Sequence, residues 1–292
     1  MEIKYINRAT QQIEIETPPA KGLLKFLYHN PFGKTTVLPI VKQKIISDFY
    51  GKRMDSSSSI NKIAKFVDTL HINMSESQKS ITEFSSFNDF ISRKLKPESR
   101  KIQDGFVSPG DGKIIAFENI SDLNKFYVKG RPFSVSEFLK DNNLAQKYKD
   151  CSLLILRLAP NDYHRYHFPC QGVPSVSTKI KGHYLSVSPI ALVNNFSKVF
   201  CENKREYTVL STPSKGDIII SPVGATMFGS IISTYTAGQE ITKGDEMGYF
   251  CFGGSTIVIL VEKGKIKIDR DILENTKNKL ETFVQMGEKI AQ

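Results

Sequence analysis

The sequence predicts an α+β fold, with a helical N-terminal region followed by an antiparallel β core of sandwich or barrel-like form. Two observations carry that prediction. From about residue 22 to 97, apolar residues recur at helical intervals. After Pro97 the chain changes to short β-rich runs separated by turn residues. Composition agrees, because 292 residues with 40% hydrophobic and 24% charged side chains are those of an ordinary globular protein with a sizeable core.

The first half of the pattern is clearest from Ser58 to His71, where Ile60, Ile63, Val67 and Leu70 fall on one helix face behind a serine-rich cap. That face must bury. Two earlier stretches, Gly22 to Tyr28 and Leu38 to Arg53, mix bulky apolar residues with Lys25, Lys42, Lys44, Lys52 and Arg53. Such segments suit a membrane interface, apolar side down and lysines toward lipid phosphates; packing on the core is the alternative. These stretches define an N-terminal, membrane-docking region over residues 1–97.

Residues 98–292 are expected to form the β-rich core, integrated with the first region into one domain. Strands are expected at Lys113–Phe117, Ser152–Leu156, Asp217–Ile220 and Thr256–Val261, with short helices at Ser134–Lys140 and around Arg270–Leu280. No solenoid-type repeat is present, and the only low-complexity tract is Ser56 to Ser59.

No apolar run approaches the roughly 20 residues that cross a bilayer, and Met1 to Tyr5 lacks the layout of a signal peptide. The expected location is the cytoplasm. Cys151, Cys170, Cys201 and Cys251 are far apart, without metal-ligand spacing, and are expected as reduced, mostly buried thiols. The net charge of +10 favours a polyanionic partner or simply a solvated surface. Nucleic acid is disfavoured, since no binding motif occurs and Lys and Arg are dispersed.

Three segments carry groups able to do chemistry. Val107 to Lys113 holds Asp111 between two glycines, a pattern equally typical of a structural turn. Leu158 to Pro169 places His164 and His167 three residues apart; an imidazole titrates near neutrality and suits proton transfer, while hydrogen-bonded structural histidines are the alternative. A metal pair is discounted because the zincin spacing is absent. In Phe250 to Thr256, Gly253 and Gly254 precede Ser255 at the start of an apolar strand. A strand-initiating turn is one reading. The other is attack of the Ser255 hydroxyl on the Gly254 carbonyl, which needs a tight backbone that a side chain at 254 would obstruct.

Together these segments resemble the phosphatidylserine decarboxylases. Phe87 to Leu95 is similar to that family's aromatic-Arg-x-Leu segment, Ser108 to Gly112 to its Asp-Gly turn, and Asp162 to His167 with Pro169 to its two-histidine motif. Ser186 to Pro189, Asn203-Lys204-Arg205 and Val223 to Met227 follow in the family's order, and Gly253 to Thr256 resembles its Gly-Gly-Ser-Thr cleavage site. Two departures stand out: Arg100-Lys101 replaces the more usual Arg-Pro, and Lys204 replaces a frequent glutamate.

The resemblance implies a precursor that cuts itself between Gly254 and Ser255, with His167 as base, Asp111 orienting it and Ser255 as nucleophile. Ser255 then becomes a covalent pyruvoyl cofactor, able to condense with the substrate amine and accept electrons as carbon dioxide leaves. His164 is implied as proton donor after decarboxylation. Also implied are fragments 1–254 and 255–292 held as a heterodimer, a higher oligomer left open, and phosphatidylserine converted to phosphatidylethanolamine on the cytoplasmic face of an anionic membrane. Two other readings remain at this point: a pyruvoyl decarboxylase of a soluble amino acid, and a non-enzymatic lipoyl- or biotinyl-like carrier, suggested by the hairpin character of Val223 to Phe250.

Overall fold

The computed structural model describes residues 2–16, 21–41, 51–126, 133–192, 196–225, 231–251 and 255–292. The expected segments at 42–50 and Thr226-Met227, and Gly253 and Gly254 themselves, lie outside these residues. Among the described residues fifteen strands follow in chain order: β1 Ile3–Asn7, β2 Gln12–Glu16, β3 Phe106–Val107, β4 Gly112–Phe117 and β5 Ser152–Leu158. Next come β6 Arg165–His167, β7 Val173–Pro174, β8 Thr178–Ile180, β9 Arg205–Thr212 and β10 Gly216–Gly224. The last are β11 Ile231–Ser233, β12 Glu246–Phe250, β13 Ser255–Val261, β14 Glu281–Val284 and β15 Lys289–Ala291.

Ten of these strands form one sheet in the order β2-β1-β14-β4-β5-β13-β10-β9-β7, with β8 also on β9. Its centre is antiparallel, whereas β1 runs parallel to β14. Alternate residues of each central strand enter different cores, as the two-residue period of a strand requires. Ile257, Ile259, Leu154, Leu156, Ile218 and Ile220 pack with Tyr166, Phe168, Met247 and Phe250. Val258, Leu260, Leu153, Ile155 and Ile219 pack with Phe138, Phe196, Val199 and Phe200. The first face is therefore closed by the two small sheets, β11-β12-β6 and β15-β3, and the second by the helices Val135–Leu139 and Phe196–Glu202. Burial on both faces explains why the strands read as continuous apolar runs.

The helical N-terminal region has a core of its own, in which Ile63, Phe84, Phe87, Phe90 and Ile91 are buried. The expected helix at 58–71 begins as a 3-10 turn, Ser57–Lys62, capped by Ser56, and is α-helical only over Ile63–Leu70. It stops where His71 adopts φ 52°. Residues 2–16 depart from the expected helical region. The alternation in Gln12-Ile13-Glu14-Ile15-Glu16 makes a hairpin with β1 that extends the core sheet beside β14, so the N-terminus belongs structurally to the β core.

Asn203, wholly buried, ties three segments together: its side chain accepts from Leu185 N–H at 2.8 Å and donates to the carbonyls of Leu185 at 2.8 Å and Gly224 at 2.9 Å. Asn203→Ala strands all three buried backbone groups. The expected loss is about 2–4 kcal/mol of unfolding free energy in urea titrations. A loss below about 0.5 kcal/mol would show that water replaces the amide.

Candidate active site

Ser255 is the first residue of β13 and is paired with Gly224 of β10 on one side and Leu158 of β5 on the other. It is only 1% exposed. From Leu158 the chain turns through residues 159–164 into β6, which brings that turn over the head of β13. Asp162 braces the turn: its carboxylate accepts from Ala159 N–H at 2.7 Å, its own N–H donates to Ala159 at 2.9 Å, and Lys113 Nζ lies 3.0 Å away. His164 is thereby held with Nδ1 3.4 Å from Ser255 Oγ.

His164 is fully buried, its Nε2 has no partner among the described residues, and burial together with the charge of Arg93 pushes its pKa down to about 3. It is therefore a neutral ring at physiological pH. The same low pKa makes it a weak proton acceptor.

His167 differs in its hydrogen bonding. Its backbone N–H donates to Pro109 at 2.7 Å, and its ring stacks on Tyr163. Nδ1 lies 2.9 Å from the Gly244 carbonyl, which only accepts, so Nδ1 carries the hydrogen. Nε2 then accepts from the Tyr163 hydroxyl at 3.2 Å. Burial lowers the pKa of His167, but the Gly244 carbonyl and the charges of Glu246 and Asp111 act in the other direction. It has the tautomer and field of a general base.

Asp111 follows the Pro109-Gly110 turn and is 4% exposed. Glycine is required next, since a Cβ at Gly112 would come within 2.6 Å of the Arg157 carbonyl. The carboxylate accepts from Arg100 Nε at 3.0 Å and Met286 N–H at 2.8 Å. Arg100 in turn reaches Glu76 at 2.9 Å.

The four residues singled out in the sequence thus occupy one neighbourhood but are only partly connected. Ser255 meets His164. Asp111 acts on His167 through its charge, while the turn that carries it bonds the backbone of His167. Among the described residues no hydrogen bond links Asp111 to His167 or His167 to Ser255, because Tyr163 and Arg100 hold the groups that would make them. Gly254 lies outside those residues. Sequence reading passed over Tyr163, Arg93 and Arg100 as functional groups. All three stood in or beside the quoted motifs, but only their contacts reveal that Tyr163 occupies the His167 lone pair and that Arg93 and Arg100 charge the site. Among the described residues no His, Cys, Asp or Glu cluster suits a metal ion.

The family model for phosphatidylserine decarboxylase matches residues 87–292. A phosphatidylserine decarboxylase proenzyme of Fusobacterium nucleatum is 50% identical over 291 residues, covering 99% of this chain and 97% of the relative. Proenzymes of the same name from Clostridium botulinum and Desulfitobacterium hafniense are each 46% identical, with 99% of this chain covered and 98% and 97% of the relatives.

Proposed function

The chain belongs to the phosphatidylserine decarboxylase family, and from that premise we propose that Ser255 is where it cuts itself and where its cofactor arises. It is a carboxy-lyase made as a proenzyme, and its reaction is the decarboxylation of phosphatidylserine. The two other readings, a decarboxylase of soluble amino acids and a carrier module, find no support among these relatives. The observation that carries the assignment of Ser255 is its buried hydroxyl at the head of a central strand, facing an imidazole.

In the precursor, His167 takes the proton of Ser255 once the Tyr163 hydroxyl releases Nε2, and Asp111 stabilises the imidazolium through its charge. Ser255 Oγ bonds to the Gly254 carbonyl carbon, the 254–255 amide bond breaks, and the proton passes to the freed nitrogen. Loss of the 255 α-proton expels the Gly254 carboxylate; addition of water and loss of ammonia leave a keto group at residue 255. His164 positions the Ser255 hydroxyl for that attack.

The site suits a pyruvoyl group, for residue 255 is enclosed and His164 beside it has a buried Nε2 with no partner among the described residues. Such a group supplies a ketone that condenses with the substrate amine and accepts the electrons left by departing carbon dioxide. His164, already beside position 255, donates a ring N–H proton to the substrate α-carbon after decarboxylation. Residues 255–292 supply β13, flanked by β5 and β10, as well as β14 and β15. The two fragments therefore share the main sheet and stay together as a heterodimer.

Docking on the membrane falls to the N-terminal region. No helix among the described residues is long and apolar enough to cross a membrane. Leu23, Phe26, Phe32 and Ile40 are instead exposed at 51%, 36%, 62% and 54%, near Lys25 and Lys34. Leu27 and Tyr28 of the same helix, Lys21–His29, are buried against Ala191. This leaves an apolar surface above the body of the protein, suited to the cytoplasmic face of an anionic membrane. Leu23→Glu with Phe32→Glu is expected to weaken binding to phosphatidylserine vesicles at least about tenfold in flotation assays, as loss of two buried apolar side chains requires. Unchanged flotation would move the docking surface elsewhere. The functional reading itself is tested by decarboxylation of phosphatidylserine in vesicles against free serine; turnover of serine alone would refute it.

A further inference from the structure

Arg93 lies just beyond the short helix Phe87–Ile91 and is 5% exposed. Its Nη2 donates over 3.4 Å to the Asn161 carbonyl and its guanidinium lies 5.3 Å from the centre of the Phe90 ring, but its buried Nε and Nη1 have no partner among the described residues. Four other cations around the site are neutralised. Arg100 pairs with Asp111 and Glu76, Lys113 with Asp162 and Glu16, Arg157 with Glu16 and Glu281, and Arg165 with Glu246. The carboxylates whose charge reaches Arg93, namely Asp111, Asp162 and Glu76, are among those already engaged.

A buried cation without a counter-ion destabilises a protein. Its place here is informative. Arg93 bonds Asn161, three residues before His164, and its charge acts on His164, which touches Ser255. Two free donors therefore sit on a guanidinium whose charge reaches the imidazole beside Ser255.

We propose that Arg93 binds the phosphodiester of the phospholipid headgroup, an inference that rests on the functional reading above. The headgroup offers two anions, and the reaction decides between them. The carboxylate loses its charge as carbon dioxide departs, so a cation fixed on it would stabilise the ground state more than the transition state. The phosphodiester keeps its charge from substrate to product. A guanidinium on it anchors the lipid without opposing the chemistry, and its planar fork matches phosphate oxygens.

The test compares full-length wild type with Arg93→Gln and Arg93→Lys. Intact mass reads self-cleavage, thermal melting reads folding, and calorimetry reads binding of glycerophosphoethanolamine, which has the phosphodiester but no carboxylate. Both variants are expected to cleave, and Arg93→Gln to melt no lower than wild type, since it removes an uncompensated charge. Its Kd for glycerophosphoethanolamine and its KM for phosphatidylserine should rise together by about tenfold or more, with kcat within about threefold and Arg93→Lys intermediate. An unchanged Kd, a fall in kcat at constant KM, or loss of self-cleavage or of folding in both variants would overturn the proposal. Arg93-dependent binding of glycerophosphoethanolamine by a wild type inactive on phosphatidylserine would retain the anion site and defeat the functional reading instead.

Discussion

Ser255→Ala is expected to leave the chain in one piece and without decarboxylase activity above background. The substitution removes the only oxygen proposed to attack the Gly254 carbonyl, and with it the atom on which the keto group at position 255 depends. It disturbs little else. Among the described residues the lost hydroxyl makes one long contact, 3.4 Å to His164, and the strand register set by Gly224 and Leu158 involves only backbone. Stability should therefore change by less than about 1 kcal/mol. An uncut, inactive and normally melting variant separates loss of chemistry from loss of fold. A variant that still yields two fragments would take the nucleophilic role away from Ser255.

His167→Ala is expected to slow self-cleavage by about 10²–10⁴-fold, the usual contribution of a positioned base. His164→Ala should cleave within about tenfold of wild type yet fail to decarboxylate. The contrast is drawn from their surroundings. His164 is closer to Ser255 but, at a pKa of about 3 beside the charge of Arg93, accepts a proton poorly. His167 has its Nδ1–H fixed on Gly244 and its proton affinity supported by Glu246 and Asp111. Because burial places the pKa of His167 below its ordinary 6.5, the base form is populated at neutrality. Cleavage should then be flat at neutral and mildly alkaline pH and fall as pH drops through the lowered pKa. Time courses of precursor disappearance across pH check both points. Loss of cleavage in His164→Ala, with His167→Ala normal, would make His164 the base.

Much of this architecture is legible before any coordinates, because strands buried on both faces leave unbroken apolar runs such as Ser152–Leu158 and Ser255–Val261. The helices at Val135–Leu139 and Arg270–Lys277 were legible too, the first through its Ser134 cap. The N-terminal hairpin was missed although Gln12–Glu16 alternates cleanly, because two five-residue strands gain stability only from docking beside β14, a contact far away in sequence. The motifs single out the proposed site residues but say nothing of their pairing. Sequence spacing cannot reveal that Tyr163 occupies the lone pair of His167 or that Arg100 engages Asp111, since those choices follow from how turns from different strands meet at the head of β13.

Intact-mass measurement of the purified wild-type chain, joined to amino-terminal sequencing, tests the central claim most directly. The expected result is two polypeptides corresponding to residues 1–254 and 255–292, the smaller one resisting Edman degradation because its first residue no longer carries an amine. A single unbroken mass that persists through prolonged incubation, accompanied by full decarboxylation of phosphatidylserine, would contradict it.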